Sequence, residues 1–240
     1  MGVFKRAALT AVIATGLAIG AMLRYPGGTP LDHTPAGYSL SSNFLSDLGM
    51  TVGYNGQSNR LGAALFVASV LTLVVGLGWT LATIVRLLAR EHASRRWASL
   101  GAVLGLLACV AFAGVGVTPE NRVMTVHVAF TVWGWRIVTL VAGLMAIASF
   151  RSTYFHRRAA VAWLIVTVLL AMYSGIIPFA ADIATANGLV IQVIAQKVAS
   201  CVVVLGLIFV AREADRAGVG ASAKELVPVR NGRGPSPRSG

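Results

Sequence analysis

Charged residues are scarce in this chain, at 12% of the sequence, which is about half of their usual share in soluble domains. The two cysteines, Cys109 and Cys201, both fall in the middle of apolar runs, so neither a disulfide framework nor a cysteine-based metal site is predicted. HExxH, HxxxH and GxSxG spacings are also absent from the sequence. Hydrolases that carry those motifs are therefore disfavoured.

Long apolar runs are abundant instead. Hydrophobic residues make up 56% of the chain, and the mean hydropathy is +0.76. Six runs of roughly 20 apolar residues predict an all-α, polytopic membrane protein with six transmembrane helices. These runs cover residues 7–23, 61–85, 97–117, 124–150, 159–181 and 188–211.

The first run also fits a signal peptide, because Lys5 and Arg6 precede a short apolar stretch. Gly16 and Gly20 have the small-xxx-small spacing that lets two membrane helices pack closely. This spacing favours a retained helix.

Basic residues predict the orientation. Most of the 20 Lys and Arg fall at the N-terminus, in 86–96 and 151–158, and after residue 211. This is the positive-inside pattern and predicts both termini in the cytoplasm (N-in/C-in). The formal charge of +12 therefore reflects topology, so membrane lipids rather than nucleic acid are the predicted partners. One membrane domain, 1–211, and a disordered basic cytoplasmic tail, 212–240, are predicted.

The single long connection, residues 24–60, is predicted to lie on the extracytoplasmic side of the membrane. Thr34-Pro35 resembles a helix start, and Gly49 suits a helix end. At 100° per residue, a helix over 35–48 separates polar from apolar side chains, which predicts an extracytoplasmic amphipathic helix. Its polar face consists of Ser39, Ser42, Asn43, Ser46 and Asp47, and its apolar face of Leu40, Phe44, Leu45 and Leu48.

Two cations, Arg136 and Lys197, are predicted near the centre of the bilayer, where a charge is costly. Gln192, Gln196 and Ser200 extend Lys197 into a polar stripe that is predicted to face the bundle interior. The two cations either bond to neighbouring helices or snorkel, or together they attract an anionic group. The sequence leaves these alternatives open.

Acids and histidines near the outer side are candidates for chemistry: Asp32, His33, Asp47, Glu120, His127 and Asp182. Glu120 also suits the first turn of a helix capped by Thr118, and His127 also suits a hydrogen-bonded helix-end histidine. A catalytic zinc needs three protein ligands, and the spacing of this set gives little support for one. No metal or cofactor is predicted.

One segment resembles a known family. Its residues Tyr38, Ser42, Asn43, Ser46, Asp47, Leu48 and Gly49 match a Y-x-x-x-SN-x-x-SDLG pattern found after the first span of a bacterial and archaeal membrane family, domain of unknown function 998 (DUF998). Pro119, Glu120 and His127 resemble its later Pro-Glu and His. A fainter likeness links the chain to DRAM/Sfk-type membrane proteins. The resemblance covers about 4–211 and implies a bacterial inner-membrane location.

The resemblance also implies one joint outer site formed by Asn43, Ser46, Asp47, Glu120 and His127. That site requires the segment after the first span to fold back over the start of the fourth.

Three functions remain open at this point. The first is binding or translocation of a lipid or amphiphile at an extracytoplasmic site, with Asn43, Ser46, Asp47, Glu120, His127, Arg136, Gln196 and Lys197 as its residues. The second is a structural or regulatory subunit of an envelope complex, as a homo-oligomer or with a membrane partner protein. The third is an intramembrane lipid hydrolase.

Overall fold

The fold, taken from a computed structural model, is described for residues 1–155 and 157–225, with side chains up to Ala217. These residues form seven α-helices and a short 3₁₀ helix, and within them no β-strand forms beyond two isolated bridges. The helices are α1 (Val3–Arg24), α2 (Arg60–Leu88), α3 (His92–Val117), α4 (Glu120–Arg151), α5 (Arg157–Gly175), α6 (Ile177–Ala180) and α7 (Ala186–Glu225), and the 3₁₀ helix is Ser46–Gly49.

Six stretches of helix are long and apolar enough to cross a membrane: Val3–Arg24, Arg60–Leu88, His92–Val117, Glu120–Arg151, Arg157–Ala180 and Ala186–Ala217. They coincide with the six predicted runs, which confirms the all-α class and the number of spans. Six such helices indicate a multi-pass membrane protein.

The long helices form a closed ring. Each of α1 to α4 packs against the next helix in the chain, α5 packs against α7, and α7 returns to α1. The larger apolar core lies among α2 to α5 and α7 and includes Leu88, Met145 and Leu170, all fully buried. A smaller core joins Tyr25, Leu48 and Phe66.

The ring has two unlike ends. The basic end contains residues 1–2, 89–91, 152–155 and the last turns of α7, whereas the loop end contains 25–59, 118–119 and 181–185.

Two carboxylates tie the basic end together. Asp215 accepts hydrogen bonds from the backbone N–H groups of Val3 and Phe4 at 2.8 and 3.0 Å, so the last helix caps the first. Glu91 accepts the backbone N–H of Thr153 at 2.9 Å and thereby joins two short loops.

The prediction of an amphipathic helix over 35–48 is wrong. Only Ser46–Gly49 is helical, as a 3₁₀ turn, and the preceding residues form turns and bends. Ser39 donates its backbone N–H to Asn43 Oδ1 at 2.9 Å, and Phe44 donates its own to Asp47 Oδ2 at 3.0 Å. Such side-chain acceptors compete with the helical hydrogen-bond pattern, which is why polar periodicity misleads here.

The end of the chain also differs from its prediction. Helix α7 continues to Glu225, so residues 212–225, predicted as part of a disordered tail, are helical. Alanine, glutamate and arginine in this stretch favour helix. The remainder of the predicted tail, 226–240, lies outside the described residues.

Candidate functional site

Asn43 organises the loop end. Its side chain is fully buried and donates to Gly28 O at 3.0 Å and to Asp47 Oδ2 at 2.9 Å, while its Oδ1 accepts the N–H of Ser39. Gly28 has φ +81°, and a Cβ there would lie 2.7 Å from the backbone nitrogen of Asn55, so the position requires glycine. Asn43 therefore holds together three parts of the 25–59 segment.

Asp47 is fully buried, with one oxygen satisfied and one not. Its Oδ2 accepts from Asn43 and from the backbone of Phe44, whereas Oδ1 has no hydrogen-bond partner among the described residues. Burial and the nearby Glu120 carboxyl together raise the pKa of Asp47 to about 8, against the lowering effects of the hydrogen bonds from Asn43 and Phe44 and of Lys197. At neutral pH this group is mainly a neutral acid.

Glu120 and His127 lie together at the start of α4. His127 is 3% exposed, and its Nδ1 lies 2.7 Å from Thr118 O. Since a carbonyl oxygen only accepts, Nδ1 carries a proton, which leaves Nε2 with its lone pair in the neutral ring. Nε2 lies 3.9 Å from Glu120 Oε2 and has no hydrogen-bond partner among the described residues.

Thr118 does not cap α4 as predicted. Pro119 is the N-cap of that helix, and the Thr118 hydroxyl donates backward to Gly114 O at 2.6 Å, at the end of α3. A hydroxyl within reach of an earlier carbonyl in its own helix forms this local bond readily.

Tyr25 brings a third polar atom without a partner. It follows α1, its ring meets that of Tyr38 edge to face at 5.8 Å, and its hydroxyl is buried without a hydrogen-bond partner in the described structure. Burial raises the pKa of Tyr25, and the charges of Asp47 and Glu120 raise it further, against the lowering effect of the nearby Tyr54 backbone N–H. These effects place the three groups in one electrostatic neighbourhood.

We call Tyr25, Asn43, Asp47, Glu120 and His127 the loop-end cluster. Its members come from the end of α1, the long loop, the 3₁₀ helix and the start of α4. Ser46 is buried beside Asp47 in the same 3₁₀ helix, which contacts α2, α3 and α4. The segment therefore folds back over the start of the fourth span, as the joint outer site requires.

Helix α7 contacts the long loop through Gln196 and Lys197. Lys197 Nζ donates to Asn43 O at 2.6 Å and lies 5.3 Å from the centre of the Tyr38 ring, and Gln196 Oε1 accepts the N–H of Leu45 at 2.7 Å. Lys197 is eleven residues into α7, about 16 Å along its axis. The loop thus reaches well into the bundle, where protein surrounds its backbone. We call the two α7 contacts the latch.

Arg136 does not join this group. Its side chain is exposed on α4, and its guanidinium lies 5.5 Å from the centre of the Trp133 ring. Helix α5 separates α4 from α7 in the ring. The predicted pairing of Arg136 with Lys197 around one anion is therefore not formed.

Three other candidates lie on the exposed surface. Asp32 accepts the N–H of Thr34 at 2.9 Å, and Asp182 accepts the N–H of Ala184 at the same distance. His33 stacks on Tyr54 with ring centres 6.0 Å apart. Asp32 and Asp182 thus stabilise their own turns.

Sequence reasoning missed Tyr25 and Asn59. Asn59 is 2% exposed and donates to Leu48 O and Met50 O at 3.0 and 2.8 Å, which closes the loop behind the 3₁₀ helix. A lone polar residue next to a span gives no periodic signal. The only sequence cue was its position immediately before α2.

Within the described residues, no group of three His, Cys, Asp or Glu side chains is arranged to hold a metal ion. The chain matches no protein-family model, no curated protein and no solved structure. The resemblance to domain of unknown function 998 therefore stays a prediction.

Proposed function

We propose that this membrane protein binds the polar headgroup of a lipid or other amphiphile in the loop-end cluster, and that residues 25–59 form a cover over it. The positive-inside pattern supports the part of this proposal that turns the site toward the extracytoplasmic side of the bacterial inner membrane. The proposal retains Asn43, Ser46, Asp47, Glu120, His127, Gln196 and Lys197 as site residues and leaves out Arg136.

Of the seven buried side-chain polar atoms without partners among the described residues, three support this proposal because they belong to the loop-end cluster: Tyr25 Oη, Asp47 Oδ1 and His127 Nε2. An unsatisfied buried polar group costs about 1–3 kcal/mol, so folded proteins rarely retain several of them close together. A ligand that bonds to all three offsets this cost.

The cluster favours a ligand that donates hydrogen bonds. His127 Nε2 accepts in the neutral ring, and Glu120 lies 3.9 Å from it. Asp47 Oδ1 accepts when ionised and donates when protonated, and the Tyr25 hydroxyl does either. An ammonium or hydroxyl headgroup supplies the donors that these atoms lack.

Access requires the cover to move. Asn43 and Asp47 are fully buried, and the latch to Gln196 and Lys197 holds the loop in place. If the cover opens by breaking the two latch contacts, the ring of helices stays intact and the cluster becomes exposed from the loop end. Exchange of an amphiphile between the membrane and the outer surface follows from such opening.

Native mass spectrometry of the protein in mild detergent tests the proposal. Wild type is expected to retain one amphiphile per chain. Asp47→Asn is expected to lose it, because an amide cannot ionise to accept hydrogen bonds from an ammonium headgroup, although it keeps the volume of the side chain. Asp32→Asn is the matched control, since Asp32 is an exposed carboxylate in the same loop.

The site is supported if wild type and Asp32→Asn retain the amphiphile and Asp47→Asn loses it. Wild type that carries only bulk lipid at variable ratios contradicts it and favours the structural or regulatory subunit.

One observation favours a hydrolase as second candidate. The Nδ1 bond to Thr118 orients His127 so that Nε2 faces Glu120, which is an arrangement suited to general base catalysis. A hydrolase releases product from the retained amphiphile, and Glu120→Gln then keeps the substrate but stops turnover. Absence of product in wild type over long incubation eliminates this candidate.

A further inference from the structure

A groove opens on the other side of the molecule, at the basic end between α1 and α2. Its volume is about 490 Å³, and residues 1–3 and Asp215 close it at the basic end. None of its lining residues belongs to the loop-end cluster. Its walls include Leu9, Ile13, Thr72, Val75, Trp79 and Thr83, with Arg6 near the closed end.

Close packing of the two helices forms the floor of the groove. Ser69 donates its hydroxyl to Ala14 O at 2.7 Å, and Gly76 brings α2 against Thr10, where a Cβ would overlap the threonine side chain. Small residues at the contact leave space above it on the outer face. Val75 and Leu9, at 67% and 49% exposed, border this space with apolar surface.

The groove matches one leaflet in length. Its α2 wall runs from Thr72 to Thr83, which corresponds to about 16 Å, roughly half of the hydrocarbon thickness of a bilayer. A single acyl chain that enters sideways from the surrounding bilayer fills a groove of this length.

A cation and an aromatic ring lie near the closed, basic end of the groove. The Arg6 guanidinium lies 5.7 Å from the centre of the Trp79 ring, and Trp79 is 61% exposed. Asp215, the acid that lines the groove, accepts hydrogen bonds from Val3 and Phe4, and Arg6 forms no salt bridge in the described part of the chain. Arg6 is therefore positioned to bond to a phosphate.

We propose that this groove binds one anionic phospholipid from the leaflet at the basic end. Its phosphate bonds to Arg6, and one acyl chain lies along Leu9, Ile13 and Val75. Tryptophan at the headgroup level and arginine near a basic membrane surface are the residues that such a lipid prefers.

The test uses the full chain in mild detergent, titrated with phosphatidylglycerol or phosphatidylcholine of identical acyl chains and observed by native mass spectrometry. Wild type is expected to bind one phosphatidylglycerol at concentrations that give no phosphatidylcholine adduct. Arg6→Gln is expected to weaken this binding about five- to tenfold, since each basic residue near a membrane surface contributes about 1 kcal/mol. Arg86→Gln is the matched control, because Arg86 is exposed near the same end of α2 and does not line the groove.

Two further variants keep the test decisive if Arg6→Gln fails to insert correctly. Arg6→Lys preserves the charge pattern and is expected to weaken binding about two- to threefold, through loss of bidentate geometry. Val75→Trp fills the groove and is expected to remove the adduct. Three outcomes would overturn the proposal. Arg6→Gln and Arg86→Gln weaken binding equally, both lipids bind equally well, or the adduct is unchanged in Val75→Trp. A dimer mass that Val75→Trp abolishes also overturns it, in favour of a second copy of the chain in the groove.

Discussion

The two ends of this bundle differ in how their polar contacts are made. At the loop end, Asn43 and Asp47 are fully buried, and several of their partners lie far away in sequence. At the basic end the connections are short, and Glu91 and Asp215 bond to backbone N–H groups near the surface. Burial of these groups makes the loop end sensitive to single substitutions, whereas the bonds of Glu91 and Asp215 near the surface tolerate them.

Buried polar atoms without a partner occur toward both ends, with Ser149 Oγ and Glu213 Oε2 toward the basic end, but only at the loop end do they lie among the candidate site residues. Tyr25, Asp47 and His127 each retain one at the loop end. The basic end instead holds an open groove whose cation lies on the surface. One end is therefore suited to enclosing a headgroup and the other to holding a lipid at the membrane interface.

The largest expected effect comes from Asn43→Ala. The substitution removes bonds to Gly28 and Asp47 and leaves buried partners unsatisfied, so the free energy of unfolding should fall by about 2–4 kcal/mol. Unfolding in mixed micelles of increasing SDS fraction measures this change. Ser41→Ala, at an exposed position in the same loop, is the control and should change stability by less than about 0.5 kcal/mol. Equal stability of the two variants would remove the distinction between the ends.

Stability should fall as pH rises toward 8. The pKa of Asp47 is about 8 in the fold and near its ordinary value of 3.8 when unfolded, so between these values the folded state binds more protons. Ionisation of the buried acid then costs stability as pH rises through the folded pKa. Wild type is expected to melt several degrees higher at pH 5 than at pH 8.5, as followed by circular dichroism.

Asp47→Asn should flatten this pH dependence, while Asp32→Asn should preserve it. A slope that survives in Asp47→Asn assigns the titration to another group.

Lys197→Met should loosen the cover. It removes the bond to Asn43 O, so a cysteine placed at Ser46 should react with a maleimide about tenfold faster, as expected for loss of roughly 1.4 kcal/mol of latch energy. Both native cysteines are replaced by alanine in the background. Arg136→Met removes a cation of the same charge from an exposed face and should leave the rate unchanged. If both substitutions accelerate labelling equally, Lys197 acts only through bundle stability.

The smallest effect is expected at the basic end. Asp215→Ala removes the cap on α1 and should lower the free energy of unfolding by about 1 kcal/mol. The same SDS titration measures it. A loss as large as that of Asn43→Ala would show that the basic end is as cooperative as the loop end.

The sequence by itself determined the six spans, because burial of a continuous apolar run depends on the run alone. Helix α2 shows this: the predicted 61–85 lies within Arg60–Leu88. The family resemblance, which stays a prediction, also grouped Asp47, Glu120 and His127.

Only the tertiary structure decided how residues 25–59 fold. Periodicity counts neighbours on one helix, but Asn43 bonds to Gly28 and Lys197, which lie 15 and 154 positions away. Those bonds outcompeted the amphipathic helix, and they also turned the polar side chains of Asn43 and Asp47 inward. Lys197 lies against this loop and not against Arg136 because the order of helices in the ring, which no local pattern encodes, places α5 between α4 and α7.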